Sequence, residues 1–243
     1  MENFSGVTIF ILASNEELLL KKTIDEIIDT CDSDDIAEIT IALKSEDCPA
    51  AHYLRSDIFR QRRYAGIKTY VQKKPGIEQC MSELPELVTS SHFLIMAADN
   101  EMSPLSIKTL ISHAKENSDT IICAAKWKSG SQINKKKSLH LFGSRMLNRL
   151  SSRIIKSDAK DPCSIFRIYP VEVYKKLPTG NAKSFLYEYT LKPVALGMKY
   201  QEIPTVFIKR NDKKSNFNYL DYFFHAFIYL MYAVKYRKMA KNR

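Results

Sequence analysis

Glycine and paired cysteines are both scarce in this sequence. Only 7 of the 243 residues are glycine, which argues against an architecture built on glycine-rich turns. The 5 cysteines are widely spaced and include no Cys-x-x-Cys pair, so neither a thiolate metal site nor a disulfide framework is expected. Reduced cysteines are typical of the cytosol, and we therefore predict a cytoplasmic location.

The chain also lacks long uninterrupted apolar segments. Its first residues have neither the basic start nor the apolar run of a signal peptide. The most apolar stretch, residues 219–234, contains Asp221 and His225 and falls short of the roughly 20 residues of a membrane-spanning helix. A basic segment follows it. Two interpretations stay open: a helix at the membrane interface, or a helix packed on the domain with a solvated basic end.

Positive charge is abundant but unevenly distributed. The formal net charge is +10, from 37 Lys and Arg against 27 Asp and Glu. Residues 1–125 carry a net charge of −8, whereas residues 126–160 carry +9 and residues 205–243 carry +7. The second half therefore suits an anionic partner: nucleic acid, a phosphorylated substrate or a membrane surface. Because the first half is acidic and no nucleic-acid-binding motif is present, we expect no nucleic acid.

Short β-rich runs alternate with helical segments through the first 125 residues. Strands are predicted at residues 7–13, 38–43, 67–71, 92–96 and 120–124. Helices are predicted at residues 18–28, 82–88 and 103–115, and another in the basic stretch at residues 139–155. This rhythm predicts an α/β protein with a mostly parallel sheet flanked by helices. Ligands of such sheets bind beyond the carboxyl ends of the strands, which here means residues 13–17 and 97–101.

Two carboxylates follow the predicted strand at residues 92–96. Asp99 and Glu101 stand two positions apart, and in extended or turn geometry such residues point the same way. Two carboxylates can share one Mg²⁺ or Mn²⁺ that is also bound by a diphosphate. From the spacing alone, the alternative that both are ordinary loop carboxylates before a helix stays open.

Several blocks in a fixed order give the sequence a family resemblance. They are Leu12-Ala13-Ser14-Asn15-Glu16-Glu17, Lys74-Pro75-Gly76, residues 92–104 around Asp99, Asp161-Pro162-Cys163-Ser164-Ile165-Phe166-Arg167, and residues 185–210 with Glu188 and Glu202. Together they resemble glycosyltransferase family 2, the inverting enzymes of the GT-A fold, and within it the dolichol- or polyprenyl-phosphate mannosyltransferase-like branch. The resemblance covers most of the chain, residues 5–216.

The resemblance implies a single α/β domain of the GT-A type, with a Rossmann-like sheet, at residues 1–216. An amphipathic, basic helical tail would follow at residues 217–243. The implied reaction moves a sugar from a nucleotide-diphosphate sugar to a polyprenyl-phosphate or lipid-linked acceptor, with Mg²⁺ or Mn²⁺ as cofactor. A peripheral location at the cytoplasmic face of a membrane goes with such an acceptor. Donor binding would fall on Ala13, Asn15, Glu16, Ala98 and Asp99, and the metal on Asp99 and Glu101.

Three departures from the family pattern affect these expectations. Ala97 replaces the first Asp of the Asp-x-Asp triplet, and Ile165 replaces a Gly before the Phe-Arg pair. At the end of the second predicted strand, Ala42-Leu43-Lys44 stands where the family has Asp-Asp-Gly. The acidic group that recognises the base is therefore missing, which leaves the identity of the base open.

Two kinds of acceptor require different residues. A lipid phosphate is already anionic and needs cations to bind and align it. Candidates are Arg145, Arg149, Arg167 and Arg210, with Lys126 and Lys213 as weaker ones. A sugar hydroxyl needs a carboxylate base, for which Asp161 and Glu188 are the candidates.

Simpler roles for these residues stay open as alternatives. The alternatives are a solvated helix face for Arg145 and Arg149, and a structural ion pair of Arg167 with Asp161 or Glu188. At the level of the whole protein, the alternatives are a glycan-extending transferase and a non-catalytic basic binding module.

Overall fold

The computed structural model describes residues 4–99, 101–134, 139–177, 180–208 and 219–242, with side chains described from residue 223 in the last range. The strands, in chain order, are β1 Val7–Ala13, β2 Ile36–Leu43, β3 Ile67–Val71, β4 His92–Ala97, β5 Ile121–Ala125, β6 Gln132–Asn134, β7 Arg167–Pro170, β8 Tyr200–Pro204 and β9 Val206–Ile208. The α-helices are α1 Glu17–Thr30, α2 Pro49–Leu54, α3 Ile77–Glu83, α4 Leu105–Glu116, α5 Leu139–Ile155, α6 Val171–Lys175, α7 Phe185–Ala195 and α8 Tyr219–Lys241.

Seven strands form one mixed, mostly parallel sheet in the order β3-β2-β1-β4-β7-β5-β8. Strands β1 to β4 run parallel, β5 pairs parallel with β8, and β7 lies antiparallel between β4 and β5. Strands β6 and β9 form a separate parallel pair. The predicted α/β class with a mostly parallel sheet is confirmed.

Strand β1 is buried along its whole length because helices cover both faces of the sheet. On one face, Ile9 and Ile11 pack in a cluster that includes Leu20 of α1 and Ile107 of α4. On the other face, Phe10 packs with residues of α3. Each fully buried aliphatic or aromatic side chain contributes roughly 1.5–3 kcal/mol of transfer free energy, so a continuous apolar run is favoured at this central position.

The order of connections places a switch point beside β1. The chain moves from β1 outward to β2 and β3, and then returns to the other side of β1 with β4. Helix α1, which follows β1, and helix α3, which follows β3, cover opposite faces of the sheet, and this reversal leaves a crevice at the carboxyl ends of the strands.

Some predicted boundaries are displaced by turn chemistry. The helix predicted at residues 82–88 is observed earlier, as α3, followed by a 3₁₀ turn at Leu84–Leu87. Pro85 in this turn has no N–H to donate to an α-helical bond, whereas Gly76, with φ of +121°, allows the helix to begin earlier. Strand β7 was not predicted, because four buried residues beginning with arginine and ending with proline carry no strand-like alternation.

The last helix packs on the domain. Tyr229, Ala233 and Tyr236 of α8 are buried in a cluster with Ile155 of α5 and Leu191 of α7. The helix predicted at residues 139–155 is confirmed as α5. In the described part of the chain, no helix combines the length and apolar content that crossing a bilayer requires. The predicted boundary between domain and tail, at residues 216 and 217, lies outside the described residues.

Candidate active site at the carboxyl edge of the sheet

A cavity of about 310 Å³ opens at the carboxyl ends of strands β1 to β4. The loop after β1 contributes Ala13, Ser14 and Glu16, and the loop after β4 contributes Ala98 and Asp99. The remaining lining residues are Leu12, Ala42, Lys44, Gln72, Gly76, Ile77, Cys80 and Ala97. The cavity therefore occupies the crevice at the switch point, and four of the five residues predicted to bind the donor line it.

The carboxylate of Glu16 organises the loop between β1 and α1. The backbone N–H groups of Ser14 and Asn15 each donate to Glu16 Oε2, both at 2.9 Å. Glu16 occupies the N-cap position of α1 without a side-chain capping bond. Its carboxylate thus bonds back to the loop, and the loop presents Ala13 and Ser14 to the cavity. Asn15, the fifth residue predicted to bind the donor, is exposed and is not among the lining residues.

Asp99 is half-buried directly after β4. Its Oδ1 atom accepts the backbone N–H of Glu101 at 3.1 Å, which fixes the turn that follows the strand. The backbone carbonyl of Glu101 accepts the N–H of Ile208 at 2.8 Å and ties this turn to β9. Of the two carboxylates predicted to bind metal, Asp99 is the one that lines the cavity.

The residues at this edge fit a divalent cation that shares its ligands with a substrate. Among the described residues, no group of three or more His, Cys, Asp or Glu side chains is arranged to hold a metal ion. Magnesium is commonly bound by only one or two carboxylates, with substrate phosphates and waters as the other ligands. Asp99, with Glu101 two residues later, supplies that number of hard oxygen donors.

Lys44 and Gln72 form the side of the cavity at the ends of β2 and β3. Gln72 Nε2 donates to the carbonyl of Lys44 at 2.8 Å, and the N–H of Lys44 donates to the carbonyl of Ala13 at 3.3 Å. Neither residue was predicted to bind a ligand. Both residues lie directly after parallel strands, and this position, which predicted Ala13 and Asp99, also predicts Lys44 and Gln72.

Asp161 lies in the interior, away from the lining of the cavity. Its Oδ2 atom accepts the N–H of Lys126 at 2.8 Å, and its own N–H donates to Glu202 Oε1 at 2.7 Å. Burial raises the pKa of the Asp161 carboxyl to about 6, although the positive charge of Lys126 acts in the opposite direction. Glu202, which also accepts the N–H of Lys160, positions this turn and was missed as a structural residue.

Glu188 is buried within α7 and is held by several donors. Its carboxylate accepts the N–H of Gly180 at 2.7 Å and the hydroxyl of Ser184 at 2.6 Å. Lys192 Nζ lies 3.6 Å from Glu188 Oε2, which makes a buried ion pair one helical turn apart. Glu188 also lies outside the lining of the cavity, so its predicted role as a base is not tested by this geometry.

Arg167 is fully buried at the start of β7. Its guanidinium donates to the carbonyls of Thr190 at 2.9 Å and Pro162 at 3.2 Å, and further bonds reach Tyr189 and Ser164. These acceptors are backbone carbonyls, so this geometry is neither the alternative ion pair with Asp161 or Glu188 nor contact with a substrate. The structure gives Arg167 a role in joining β7 to α7 and to the preceding loop.

Apart from the buried Arg167, the described cations predicted to bind the acceptor are exposed or half-buried in the second half of the chain. Arg145 and Arg149 are exposed on α5, and the Arg145 guanidinium is 5.9 Å from the centre of the Trp127 ring. Lys126 Nζ lies 4.7 Å above the ring of Phe207. Arg210 and Lys213 fall outside the described residues. No acceptor cation among the described residues lines the cavity.

Solved structures with the same fold come from a mycobacterial enzyme. Glucosyl-3-phosphoglycerate synthase from Mycobacterium tuberculosis, in complex with Mn²⁺, UDP and glucosyl-3-phosphoglycerate, matches with a TM-score of 0.63 and 13% sequence identity over 96% of this chain and 80% of that chain. The same enzyme with Mg²⁺ and UDP matches with a TM-score of 0.64 and 12% identity over 95% and 80% of the two chains. These likenesses confirm the predicted GT-A fold. The predicted cofactor, Mg²⁺ or Mn²⁺, is the metal present with UDP in those structures.

The family to which the chain belongs is identified by a sequence model. The model of glycosyl transferase family 2 matches residues 8–178, which include the loops after β1 and β4 and the cavity between them. The match covers well over half of the chain. The prediction of a glycosyltransferase is confirmed, and the chain belongs to glycosyl transferase family 2.

Proposed function

We propose that this protein transfers a sugar from a nucleotide-diphosphate sugar, with Mg²⁺ or Mn²⁺, to a polyprenyl-phosphate or lipid-linked acceptor. One observation carries the donor half of the proposal. The cavity at the switch point is lined by Asp99 on one loop and by Ala13, Ser14 and Glu16 on the other. Crevices at this position are where open α/β sheets bind their nucleotides.

The structural relatives support a nucleoside diphosphate as the donor group. The mycobacterial synthase has been solved with UDP alone, with Mg²⁺ and UDP, and with Mn²⁺, UDP-glucose and phosphoglyceric acid. In this chain, Lys44 and Gln72 line the cavity at the ends of β2 and β3, and Ala42 and Leu43 stand where the family has two acids. The base of the donor is therefore left to experiment.

Asp99 is the residue that would hold the metal, together with Glu101. A divalent cation bound there supplies charge neutralisation for the diphosphate leaving group. The half-buried position of Asp99 excludes part of the surrounding water, which strengthens its interaction with a cation. The bond from the Glu101 N–H to Asp99 Oδ1 fixes the carboxylate before any ligand arrives, so little reorganisation is needed.

A phosphate acceptor agrees better with the geometry than a sugar hydroxyl. A phosphate oxygen needs no general base, whereas a hydroxyl does. The candidate bases Asp161 and Glu188 are both buried and already accept hydrogen bonds from the backbone. The mycobacterial synthase has been solved with phosphoglyceric acid and with glycerol 3-phosphate, which are phosphorylated and also carry hydroxyl groups, so the preference rests on the burial of Asp161 and Glu188.

A lipid-borne phosphate is the form of this acceptor that the second half favours. Its basic residues suit an anionic group held at a membrane, and a peripheral position at the cytoplasmic face would bring the enzyme to such an acceptor. The alternative is a transferase that extends a glycan with a hydroxyl acceptor. In that case the rate would fall on acidification as the base becomes protonated.

A thermal-shift screen tests the donor and metal together. The protein is heated with UDP-, GDP-, CDP- and TDP-sugars, each with and without Mn²⁺. We expect one nucleotide to raise the melting temperature, and we expect that rise to depend on Mn²⁺, because a ligand that binds only the folded state stabilises it by mass action. Asp99→Asn should abolish the metal-dependent part. Asp47→Asn, an exposed aspartate of the β2–α2 loop, is the matched control and should behave as the wild type.

The acceptor requires a separate assay with the donor found in that screen. We expect release of the nucleoside diphosphate to depend on added polyprenyl phosphate. Transfer to a soluble saccharide and not to the lipid would replace this proposal with the glycan-extending alternative. The absence of stabilisation by any nucleotide sugar, with or without metal, would overturn the donor assignment itself.

A further inference from the structure

One side of α8 exposes large apolar side chains to solvent. Phe223, with 77% of its surface exposed, begins a stripe that ends in lysines. The stripe consists of Phe223, Phe224, Phe227, Met231 and Val234, followed by Lys238 and Lys241. Successive members are mostly three or four residues apart, so they share one side of the helix. That side lies opposite Tyr229, Ala233 and Tyr236, which pack on the domain.

Helix α5 carries a second stripe of the same kind. Its members are Leu139, Phe142, Met146 and Leu150, all exposed, followed at the same spacing by Arg153. Phe142 is 64% exposed. The opposite side of α5 carries Asn148, Ser151, Ser152 and Ile155, which are buried. Helix α5 therefore turns a mostly polar face inward and an apolar face outward, the reverse of what solubility requires, and α8 is apolar on both its buried and its exposed side.

The two stripes belong to one surface. Helices α5 and α8 pack against each other, and Leu147 and Ile154 of α5 join the cluster formed around Tyr229 of α8. Since both helices turn their buried sides to the domain, their exposed stripes face outward from the same layer. We call the nine apolar residues of the two stripes the outer apolar surface. Exposed large apolar side chains grouped on two adjacent helices indicate an interaction site.

The charge on the two helices that carry the outer apolar surface is predominantly positive. Helix α5 contains no Asp or Glu and α8 contains one, Asp221, whereas the basic residues are Arg145, Arg149, Arg153 and Lys156 in α5 and its end, and Lys235, Arg237, Lys238 and Lys241 in α8. Long basic side chains beside an apolar stripe can lie along the acyl chains and extend their charges to lipid headgroups. A second copy of the same surface would bring like charges together, which disfavours self-association.

We propose that the outer apolar surface of α5 and α8 docks the protein on an anionic lipid bilayer, lying in its interface without crossing it. Phenylalanine, leucine and methionine would enter the boundary between headgroups and acyl chains, and the flanking Arg and Lys would contact the anionic headgroups. The inference deepens the proposed function, since a lipid acceptor is reached at a membrane. It predicts that α5 takes part in docking together with the C-terminal helix.

Vesicle flotation with the full chain tests this surface, and the vesicles contain no polyprenyl phosphate. We expect the wild type to float with vesicles of phosphatidylcholine and phosphatidylglycerol, and to bind vesicles of phosphatidylcholine alone at least about tenfold more weakly. Phe223→Ser/Phe227→Ser should weaken binding by about tenfold or more, because two aromatic side chains that would be buried in the bilayer are lost. Phe142→Ser/Met146→Ser should also weaken it, which tests the contribution of α5.

Matched variants separate the surface from a general loss of apolar or basic residues. Leu18→Ser/Leu105→Ser replaces two exposed leucines of α1 and α4 and should leave vesicle binding unchanged. Lys238→Glu/Lys241→Glu should weaken binding to anionic vesicles by roughly tenfold or more. Lys176→Glu/Lys183→Glu, at exposed lysines elsewhere, should have little effect. All of these positions are exposed, so the melting temperatures should stay close to that of the wild type.

Three results would overturn the proposal. They are no flotation of the wild type, equal binding by the Phe223→Ser/Phe227→Ser variant and its leucine control, or a stable dimer in sedimentation velocity that this variant abolishes. The last result would assign the surface to a second copy of the chain. Each preparation is also tested for donor-dependent thermal stabilisation. Failure to bind vesicles with stabilisation intact refutes the docking surface alone, whereas vesicle binding without stabilisation refutes the proposed reaction alone.

Discussion

The two parts of the sheet place their charged side chains in different environments. At the carboxyl ends of β1 to β4, Glu16, Lys44 and Asp99 border an open cavity. Around the antiparallel strand β7, Asp161, Arg167 and Glu188 are buried and bonded mainly to backbone groups. The first set can meet a ligand without rearrangement, whereas the second set holds loops and helices together. Charged residues of the family-like blocks thus differ in burial, and burial decides which of them a ligand can reach.

The largest expected effect concerns Asp99. Asp99→Asn should lower kcat/KM by about 10²–10³-fold, since the carboxylate that would hold the metal against the leaving diphosphate is lost. Steady-state kinetics across a Mn²⁺ titration provides the measurement, with Asp47→Asn as the control. If Asp99→Asn keeps the full rate, the charged residues at the cavity do not have the role in the reaction that sets them apart from the buried ones.

Arg167 tests whether the buried charged residues around β7 stabilise the fold. Arg167→Met removes the donor to several buried carbonyls, and we expect the free energy of unfolding to fall by about 3 kcal/mol or more. Urea unfolding followed by circular dichroism measures this. Arg153→Met, on the exposed side of α5, is the control and should change stability little. A stable Arg167→Met protein without activity would instead support the predicted catalytic role.

The pH dependence of the free energy of unfolding tests the burial of Asp161. Burial raises the pKa of its carboxyl from 3.8 to about 6 in the folded protein. Between these values the folded protein keeps a proton that the unfolded chain has released, so this group lowers the free energy of unfolding as pH rises. Relative to Asp161→Asn, we expect the wild type to lose roughly 2–3 kcal/mol between about pH 4 and pH 6.

The comparison with Asp161→Asn is needed because His92 changes the free energy of unfolding in the opposite direction as pH rises. Burial lowers the pKa of His92 to about 4, and an imidazole that stays neutral in the folded state makes the protein more stable as pH rises through this range. Subtracting the two pH profiles of unfolding cancels this contribution. Asp158→Asn, three residues earlier and exposed, should reproduce the profile of the wild type.

The smallest effect is expected at Tyr236. Its hydroxyl is buried with no hydrogen-bond partner among the described residues, so Tyr236→Phe should raise the free energy of unfolding by roughly 1 kcal/mol. Tyr169→Phe is the matched control with the opposite sign, because the Tyr169 hydroxyl donates to the carbonyl of Tyr189. Equal effects of the two substitutions would show that burial alone, without regard to partners, decides their contribution.

Much of the first half could be predicted because its signals are local. The β-rich runs at residues 7–13 and 67–71 coincide with β1 and β3, since β-branched and aromatic residues favour strands whether the strand is central and buried, as β1 is, or at the edge, as β3 is. The loops after β1 and β4 were located by the same reasoning, and their residues line the cavity. Strand β7 and the structural role of Glu202 were missed because their contacts join residues that are 40 or more positions apart in the chain.

By itself, the sequence determined the fold class, the edge of the sheet where the cavity lies, and the carboxylate Asp99 that lines it. Hydrophobic periodicity and the order of elements are sufficient for these, because they depend on neighbouring residues. Only the tertiary structure decided which charged residues are accessible. It separated Asp99 from Asp161 and Arg167, and it showed that α8 packs on the domain while exposing Phe223 and Phe227. Burial is the sum of contacts with distant parts of the chain, and no local pattern records that sum.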